Sequence, residues 1–262
     1  MAEIIFRTFL STLRKEDVAF LEHNILLLQV AGQYTLETAD QKVSLKKGQL
    51  LLIGKNQLGQ VTKQPLPGED YETILISLQE DMLRNIALEE QVEVTQPYTG
   101  PRNIRIPSND FLQGFFQSIQ PYVRKPADKI HRDIGNLKVK EAVILLLDAV
   151  PALRNFLFDF STPYKIDLKK FMLRNFHYNV PIAKFAELTG RSLAGFKRDF
   201  KTAFGLAPRQ WLLEKRLTEA RHLIEKKKQK PAAIYLDLGF ESLSHFSYSF
   251  KKKFGKAPSE WE

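Results

Sequence analysis

The sequence predicts a two-domain α+β chain, with a β-rich N-terminal domain followed by helices. Its C-terminal domain is predicted to be all-α, built from two helix-turn-helix units joined by one long helix. Three observations carry this prediction. The apolar pattern changes from short alternating runs to helical stripes partway along the chain; the segment Ser192–Leu212 recurs as Ser242–Glu262; and the basic charge lies wholly in the C-terminal part.

A chain of 262 residues, 44% of them hydrophobic, can bury a large core and hold one large domain or two ordinary ones. The longest apolar run, Ala142 to Leu147, stops at Asp148, far short of the ~18 residues that span a bilayer. Glu3 and Arg7 interrupt the first apolar residues, so no secretory leader is expected there, no membrane partner, and the expected address is cytoplasmic. Cysteine is absent, which agrees with a reducing compartment and removes disulfides, thiolate metal sites and cysteine nucleophiles.

In chain order, "NILLLQVAGQYTLETADQKVSLKKGQLLLIG" (Asn24 to Gly54) shows short apolar or alternating runs broken by Gly32, Ala39-Asp40 and Gly48, the rhythm of antiparallel strands joined by tight turns. Tyr71 to Gln79 reads as another strand, so a small barrel or sandwich is expected. The period then lengthens. Ser108 is placed to cap a helix whose stripe is Phe111, Leu112, Phe115, Phe116 and Ile119, and Leu137 to Val150 reads as a second helix that Pro151 ends or kinks. Lys46 and Lys47, beside Gly48, are candidates for an acidic ligand, although lysines flanking a turn glycine are more often solvated surface. Ser161, Thr162 and Pro163 within Phe158 to Asp167 break the pattern as a linker. The domains expected are 1–160 and 161–262.

From Ser161 onward there are 21 Lys+Arg against 10 Asp+Glu, a net of +11, whereas the preceding residues hold 18 against 20, a net of −2. Such asymmetry points to a polyanion-binding module attached to a near-neutral one.

Aligned without gaps, the two copies agree at 10 of 21 positions. Ser192 and Ser242 are suited to cap a helix by accepting backbone N–H bonds. Leu193, Phe196, Phe200 and Phe204, and equally Leu243, Phe246, Phe250 and Phe254, fall on one helical face. Gly205 and Gly255 suit a left-handed helix end, and Pro208 and Pro258 the first turn of a new helical segment. With "PIAKFAELTG" and "PAAIYLDLGF" upstream, each copy becomes a short helix, a tight turn and a capped helix, which is a helix-turn-helix.

The face opposite the phenylalanines carries the candidate site. In the first copy Ala194, Gly195, Lys197 and Arg198 lead and Lys201 and Thr202 trail; in the second Ser244, His245, Ser247 and Tyr248 lead and Lys251, Lys252 and Lys253 trail. Small and hydrogen-bonding groups ahead of cations suit a helix that enters the major groove N-terminus first, with early residues at base edges and later ones at phosphates. Arg198 is the best candidate for guanine, whose O6 and N7 match its fork, unless a neighbouring carboxylate claims it. The helix from Pro208 to about Lys228 runs some 20 residues, or roughly 30 Å, close to the ~34 Å between successive major grooves on one side of DNA. Each copy can therefore read its own groove. The tract "EKKKQK" (Glu225 to Lys230) is expected to be a frayed, solvated helix end, and Trp211 and Trp261, at matching positions, to be core.

These features resemble the AraC/XylS family of transcriptional regulators. The resemblance covers Asp167 to Glu262, and "GFESLSHFSYSFKKKFGKAP" (Gly239 to Pro258) is very close to the family's signature segment. It implies a sequence-specific, DNA-binding transcriptional regulator with duplex DNA as partner. It further implies RNA polymerase as a second partner, activator action, and a cupin-like β-barrel in the N-terminal half that serves as regulatory and dimerisation domain. The same resemblance implies a homodimer and control by a small-molecule or protein effector. "LKVKEAVILLLDAVPALRNFL" is similar to members regulated by protein partners. Two departures stand out: Tyr248 replaces the family's usual arginine, which Arg198 supplies in the first copy, and Tyr235 replaces a small alanine. Readout by the second unit is therefore expected to be weaker or more dependent on DNA shape.

Two other classes compete. A metal cupin needs clustered histidines, whereas the strand region has only His23, the others being His131, His177, His222 and His245. The nucleotide-loop, nucleophile-elbow and H-E-x-x-H motifs are also missing, so no catalytic residue, metal or cofactor is expected. A non-specific nucleic-acid binder needs only lysines and not two capped, evenly spaced units.

Overall fold

In the computed structural model, which describes all residues except 1–3, 19–20, 22, 95, 97, 125–131, 161–164 and 262, the chain divides into two units, Met1–Ser161 and Thr162–Glu262. The linker residues Ser161, Thr162 and Pro163 lie outside the described residues.

The first unit holds strands β1 (Ile5–Leu10), β2 (Arg14–Val18), β3 (Asn24–Ala31), β4 (Gln33–Thr38), β5 (Lys42–Leu45), β6 (Leu50–Ile53), β7 (Gly59–Gln64), β8 (Tyr71–Leu78) and β9 (Asn103–Ile106). They form a five-stranded sheet in the order β1-β8-β3-β6-β9 and a four-stranded sheet in the order β2-β7-β4-β5. Leu26 lies opposite Leu52 and Ile76, and Leu27 opposite Leu51 and Leu75, so successive residues of the larger sheet send apolar side chains to opposite faces. On one face Leu27, Leu51, Ile53 and Tyr71 pack with Tyr34, Leu36, Val43, Leu45 and Val61, mostly from the smaller sheet. On the other, Leu26, Leu50, Leu52, Ile74 and Ile76 pack against helices. A sheet apolar on both faces needs a layer on each side. Among the described residues no ladder joins the two sheets, so the expected cupin-like β fold stands as two facing sheets and not as a closed barrel.

The helices are α1 (Glu80–Glu89), α2 (Asp110–Arg124), α3 (Arg132–Ala149) and the short α4 (Arg154–Leu157). α1, which the sequence pattern did not announce, buries Met82, Leu83 and Ile86. Its exposed face carries the Glu80–Arg84 pair, with Oε1 and Nη2 2.7 Å apart. At α2 the cap is Asn109, whose Oδ1 accepts the Leu112 N–H at 2.8 Å, and not Ser108. Phe111, expected in the apolar stripe, lies in the first turn and is 70% exposed, while Leu112, Phe115, Phe116 and Ile119 are buried. Pro151 ends the α3 stretch by opening a single 3-10 turn, Pro151–Leu153. Lys47 meets Glu69 at 3.2 Å. The Gly32 N–H first, then Lys47, hold the Glu69 carboxyl below the usual carboxylate range, which makes this lysine a paired surface group.

The second unit is all-α: α5 (Leu168–Asn175), α6 (Ile182–Leu188), α7 (Leu193–Phe204), α8 (Pro208–Lys227), the one-turn α9 (Pro231–Ile234), α10 (Leu243–Phe254) and a closing 3-10 turn, Pro258–Glu260. Phe185, Phe196, Phe200, Phe246 and Phe250 are fully buried. The duplication is visible in the packing. Phe200 and Phe204 meet Trp211 at centroid distances of 5.5 and 4.5 Å, and Phe250 and Phe254 meet Trp261 at 5.7 and 5.6 Å. Among the described residues no helix is long and apolar enough to cross a membrane.

Candidate nucleic-acid interface

Two capped helices present the site. The Ser192 hydroxyl accepts the Gly195 N–H, and the Ser242 hydroxyl the His245 N–H, each at 3.2 Å. Each bond satisfies one of the donors that a helix start leaves unpaired. At the other ends Gly205 and Gly255 take φ of +73° and +83° and return their N–H to the Lys201 and Lys251 carbonyls, a left-handed close that a side chain would strain. Ser192→Ala and Ser242→Ala are each expected to cost about 1 kcal/mol of stability, read as lowered melting temperatures; unchanged melting would show that the caps contribute nothing.

With Phe196, Phe200, Phe246 and Phe250 inward, the opposite faces of α7 and α10 are open. Ala194, Lys197, Arg198, Lys201 and Thr202 are exposed, as are Ser244, His245, Tyr248, Lys251, Lys252 and Lys253, with Gly195 and Ser247 half-buried. Leu193 and Leu243, assigned to the apolar faces, open their helices and are 42% and 39% exposed. Lys253 differs from its neighbours: its ammonium donates to the Glu214 carbonyl at 3.0 Å and the Thr218 hydroxyl at 3.3 Å, so it fastens α10 to α8. The Thr202 hydroxyl donates to the Arg198 carbonyl at 3.2 Å, and the His245 ring lies 5.9 Å from that of Phe240.

Arg198 is the most exposed member of a charged trio. Its side chain is 76% exposed and its Nη2 stands 3.4 Å from Asp199 Oδ1. Asp199 Oδ2 in turn accepts from Arg191 Nε at 3.1 Å, and Arg191 Nη1 donates to the Ile166 and Thr189 carbonyls. Arg191 first, then Arg198, hold the Asp199 carboxyl below the usual carboxylate range. A lowered value means that the trio is intact at neutral pH and is lost only as pH falls through it. The neighbouring carboxylate thus aims Arg198 and leaves most of its fork to solvent. Fifty positions on stand Glu241, Tyr248 and the buried Ser249, so all three members change together. The departure at Tyr248 therefore belongs to a unit that also lacks the carboxylate to steer an arginine. The neighbouring carboxylate weighed against Arg198 in the sequence is Asp199, whereas Arg191 was missed; its signal is this joint change between the copies.

α8 has 20 residues, Pro208 to Lys227, about 30 Å at ~1.5 Å each. Its basic end closes where Lys228 takes φ +53° and the Lys228 and Gln229 N–H groups bond the Ile224 and Leu223 carbonyls. Glu225 is fixed there too: Arg221 and then the Trp261 indole N–H hold its carboxyl below the usual range, so the end expected to fray is instead a closed helix terminus.

Residues 185–262 match the family described as a helix-turn-helix domain, and residues 24–156 the family described as the ExsA N-terminal regulatory domain. The HTH-type transcriptional regulator ExsA of Pseudomonas aeruginosa is 25% identical over 204 residues, covering 74% of this chain and 69% of that protein. The virulence regulon transcriptional activator VirF of Yersinia enterocolitica is 39% identical over 57 residues, 22% of this chain, and the match spans only 21% of that relative's length. ToxT from Vibrio cholerae aligns with a TM-score of 0.44 and 14% identity over 99% of this chain and 98% of that one. Two helix-turn-helix units that share one duplicated frame, behind a regulatory domain whose family match spans half of the sequence, establish that the chain belongs to the AraC family of transcriptional regulators, with an N-terminal domain of the ExsA type.

Proposed function

We propose that the chain is a transcriptional activator that reads two adjacent major-groove segments of duplex DNA, one with each unit. Ala194, Gly195, Lys197 and Arg198 face bases in one groove and Ser244, His245, Ser247 and Tyr248 in the next. Lys201, Thr202, Lys251 and Lys252 contact phosphates, while Lys253 approaches them from its anchorage on α8. The observation that carries this reading is the pair of capped helices, open on matching faces, on either side of a 20-residue helix. Activation agrees with the name of the relative VirF. The protein works in the cytoplasm as a homodimer, acts with RNA polymerase, and answers to a small-molecule or protein effector through its N-terminal unit.

The test is operator selection with the full-length chain, followed by binding to the selected duplex and to random duplex at one salt concentration. The selected operator is expected to bind about 10³-fold tighter or better, and both affinities to fall steeply with salt as phosphate contacts are lost. Equal affinity for the two duplexes would leave only non-specific binding.

A further inference from the structure

The backbone of α8 is not the only link between the two reading units. At its middle, Arg216 Nε donates to the Phe176 carbonyl at 2.8 Å, Nη2 to the Tyr178 carbonyl at 2.8 Å, and Nη1 to the Gly239 carbonyl at 2.9 Å. Phe176 and Tyr178 lie between α5 and α6, at the entry to the first unit, whereas Gly239 is in the turn of the second. Phe176 is the C-cap of α5, so its carbonyl is among those that a helix end leaves without a partner in the helix. A second bond crosses the same seam: Asn179 Nδ2 donates to Glu241 Oε1 at 3.0 Å.

The copies differ where this seam runs. Gly239 answers to Thr189, whose hydroxyl closes its own helix by bonding the Phe185 and Ala186 carbonyls. At Gly239, by contrast, φ is +79° and an added Cβ would stand 2.4 Å from the His177 carbonyl oxygen and 2.8 Å from Arg216 Cζ. Glu241 answers to Arg191, which serves Asp199 in the first unit. The second turn has thus given up both side chains that its twin uses internally and has made room for Arg216.

We infer that Arg216 is a positioning residue that fixes α10 relative to α7, so that the domain selects the spacing of its two DNA segments as well as their bases. The inference rests on the two-groove reading above. A planar guanidinium that holds three carbonyls resists the rotation of one unit against the other more than a single bond does. Changing the spacing by one base pair moves the second segment by about 3.4 Å and turns it by about 34°, which units held in this way cannot follow.

The experiment uses the full-length chain on its selected operator and on operators with one base pair added or removed between the two segments. Wild type is expected to lose about tenfold in affinity at either altered spacing. Arg216→Met should bind the original spacing about tenfold more weakly, bind all three within about twofold, and leave random duplex unchanged, with Arg216→Lys in between. Because the chain has no cysteine, spin labels at Lys201→Cys and Lys252→Cys can report the distance between α7 and α10 without DNA, and its distribution should broaden in Arg216→Met. If that variant melts below the assay temperature, Arg216→Lys and Asn179→Ala, measured by the same two readouts, decide. Folded variants that keep the wild-type spacing profile and distance distribution overturn this inference alone. A wild-type chain that prefers no operator overturns the two-groove reading and this inference with it.

Discussion

Phe250→Ala is expected to destabilise the C-terminal unit by about 3–5 kcal/mol, and Phe200→Ala by a similar amount. Each ring is fully buried and sits at the centre of an aromatic cluster. Phe250 meets Phe246, Phe254 and Trp261 at 5.7, 4.7 and 5.7 Å, and Phe200 meets Phe196, Phe204 and Trp211 at 5.4, 4.5 and 5.5 Å. Truncation removes those contacts and leaves a cavity beside α8, whose Leu217, Ala220 and Ile224 share a core with Phe250 and cannot collapse without moving the helix. Against a total stability of ~5–15 kcal/mol this is a large fraction. For a unit of this size the melting temperature should drop by roughly 15–30 °C. Circular dichroism melts measure it, and binding to operator and random DNA should fall by one common factor because folded protein is lost. Unchanged melting in both variants would mean that the phenylalanine faces of α7 and α10 are not the inward ones.

Arg198→Ala is expected to act on DNA instead. Its fork is held only at 3.4 Å, by an aspartate that Arg191 also occupies, so truncation should leave the fold intact and, on the proposed reading, remove one bidentate base contact. About 1–3 kcal/mol should be lost on the selected operator, with preference relaxed at one base pair and little change on random duplex. Lys252→Ala should weaken both duplexes alike and make the salt slope shallower by about one unit. The pair relaxed by Arg198→Ala and the pair relaxed by His245→Ala should lie about 10 base pairs apart. Repeating the selection with each variant maps these positions. An Arg198→Ala chain that loses equally on specific and random DNA would make Arg198 a phosphate anchor and move base reading to Lys197 and Ala194.

The reading units were legible in the sequence because their signals are local. A serine cap, a left-handed glycine and a proline at a first helical turn each involve only a few consecutive residues, and the phenylalanine spacing repeats along a single helix. The first unit was less legible for the same reason. "NILLLQV" is apolar at consecutive positions, which says that a strand is buried but not by what. Only the tertiary structure assigned Leu27 and Leu51 to the second sheet and Leu26 and Leu52 to the helices, and with that decided two facing sheets over a closed barrel. Asn109 took the cap from its neighbour Ser108 because the helix that buries Leu112, Phe115, Phe116 and Ile119 begins at Asp110.

By itself, then, the sequence determined the duplicated reading helices, their stops, their open faces and the charge that draws them to DNA, since each of these depends on residue type at short range. The tertiary structure alone decided which charged side chains are free to touch DNA and which serve the fold. Arg198, Arg216 and Lys253 are all cations on helices in one basic domain. Arg198 is turned to solvent by Asp199, Arg216 is engaged by three carbonyls, and Lys253 by α8. A hydrogen bond is satisfied by whatever oxygen the fold brings within about 3 Å, and oxygens 23 to 40 positions away in the chain, as for Arg216 and Lys253, come within that reach only once the helices have packed.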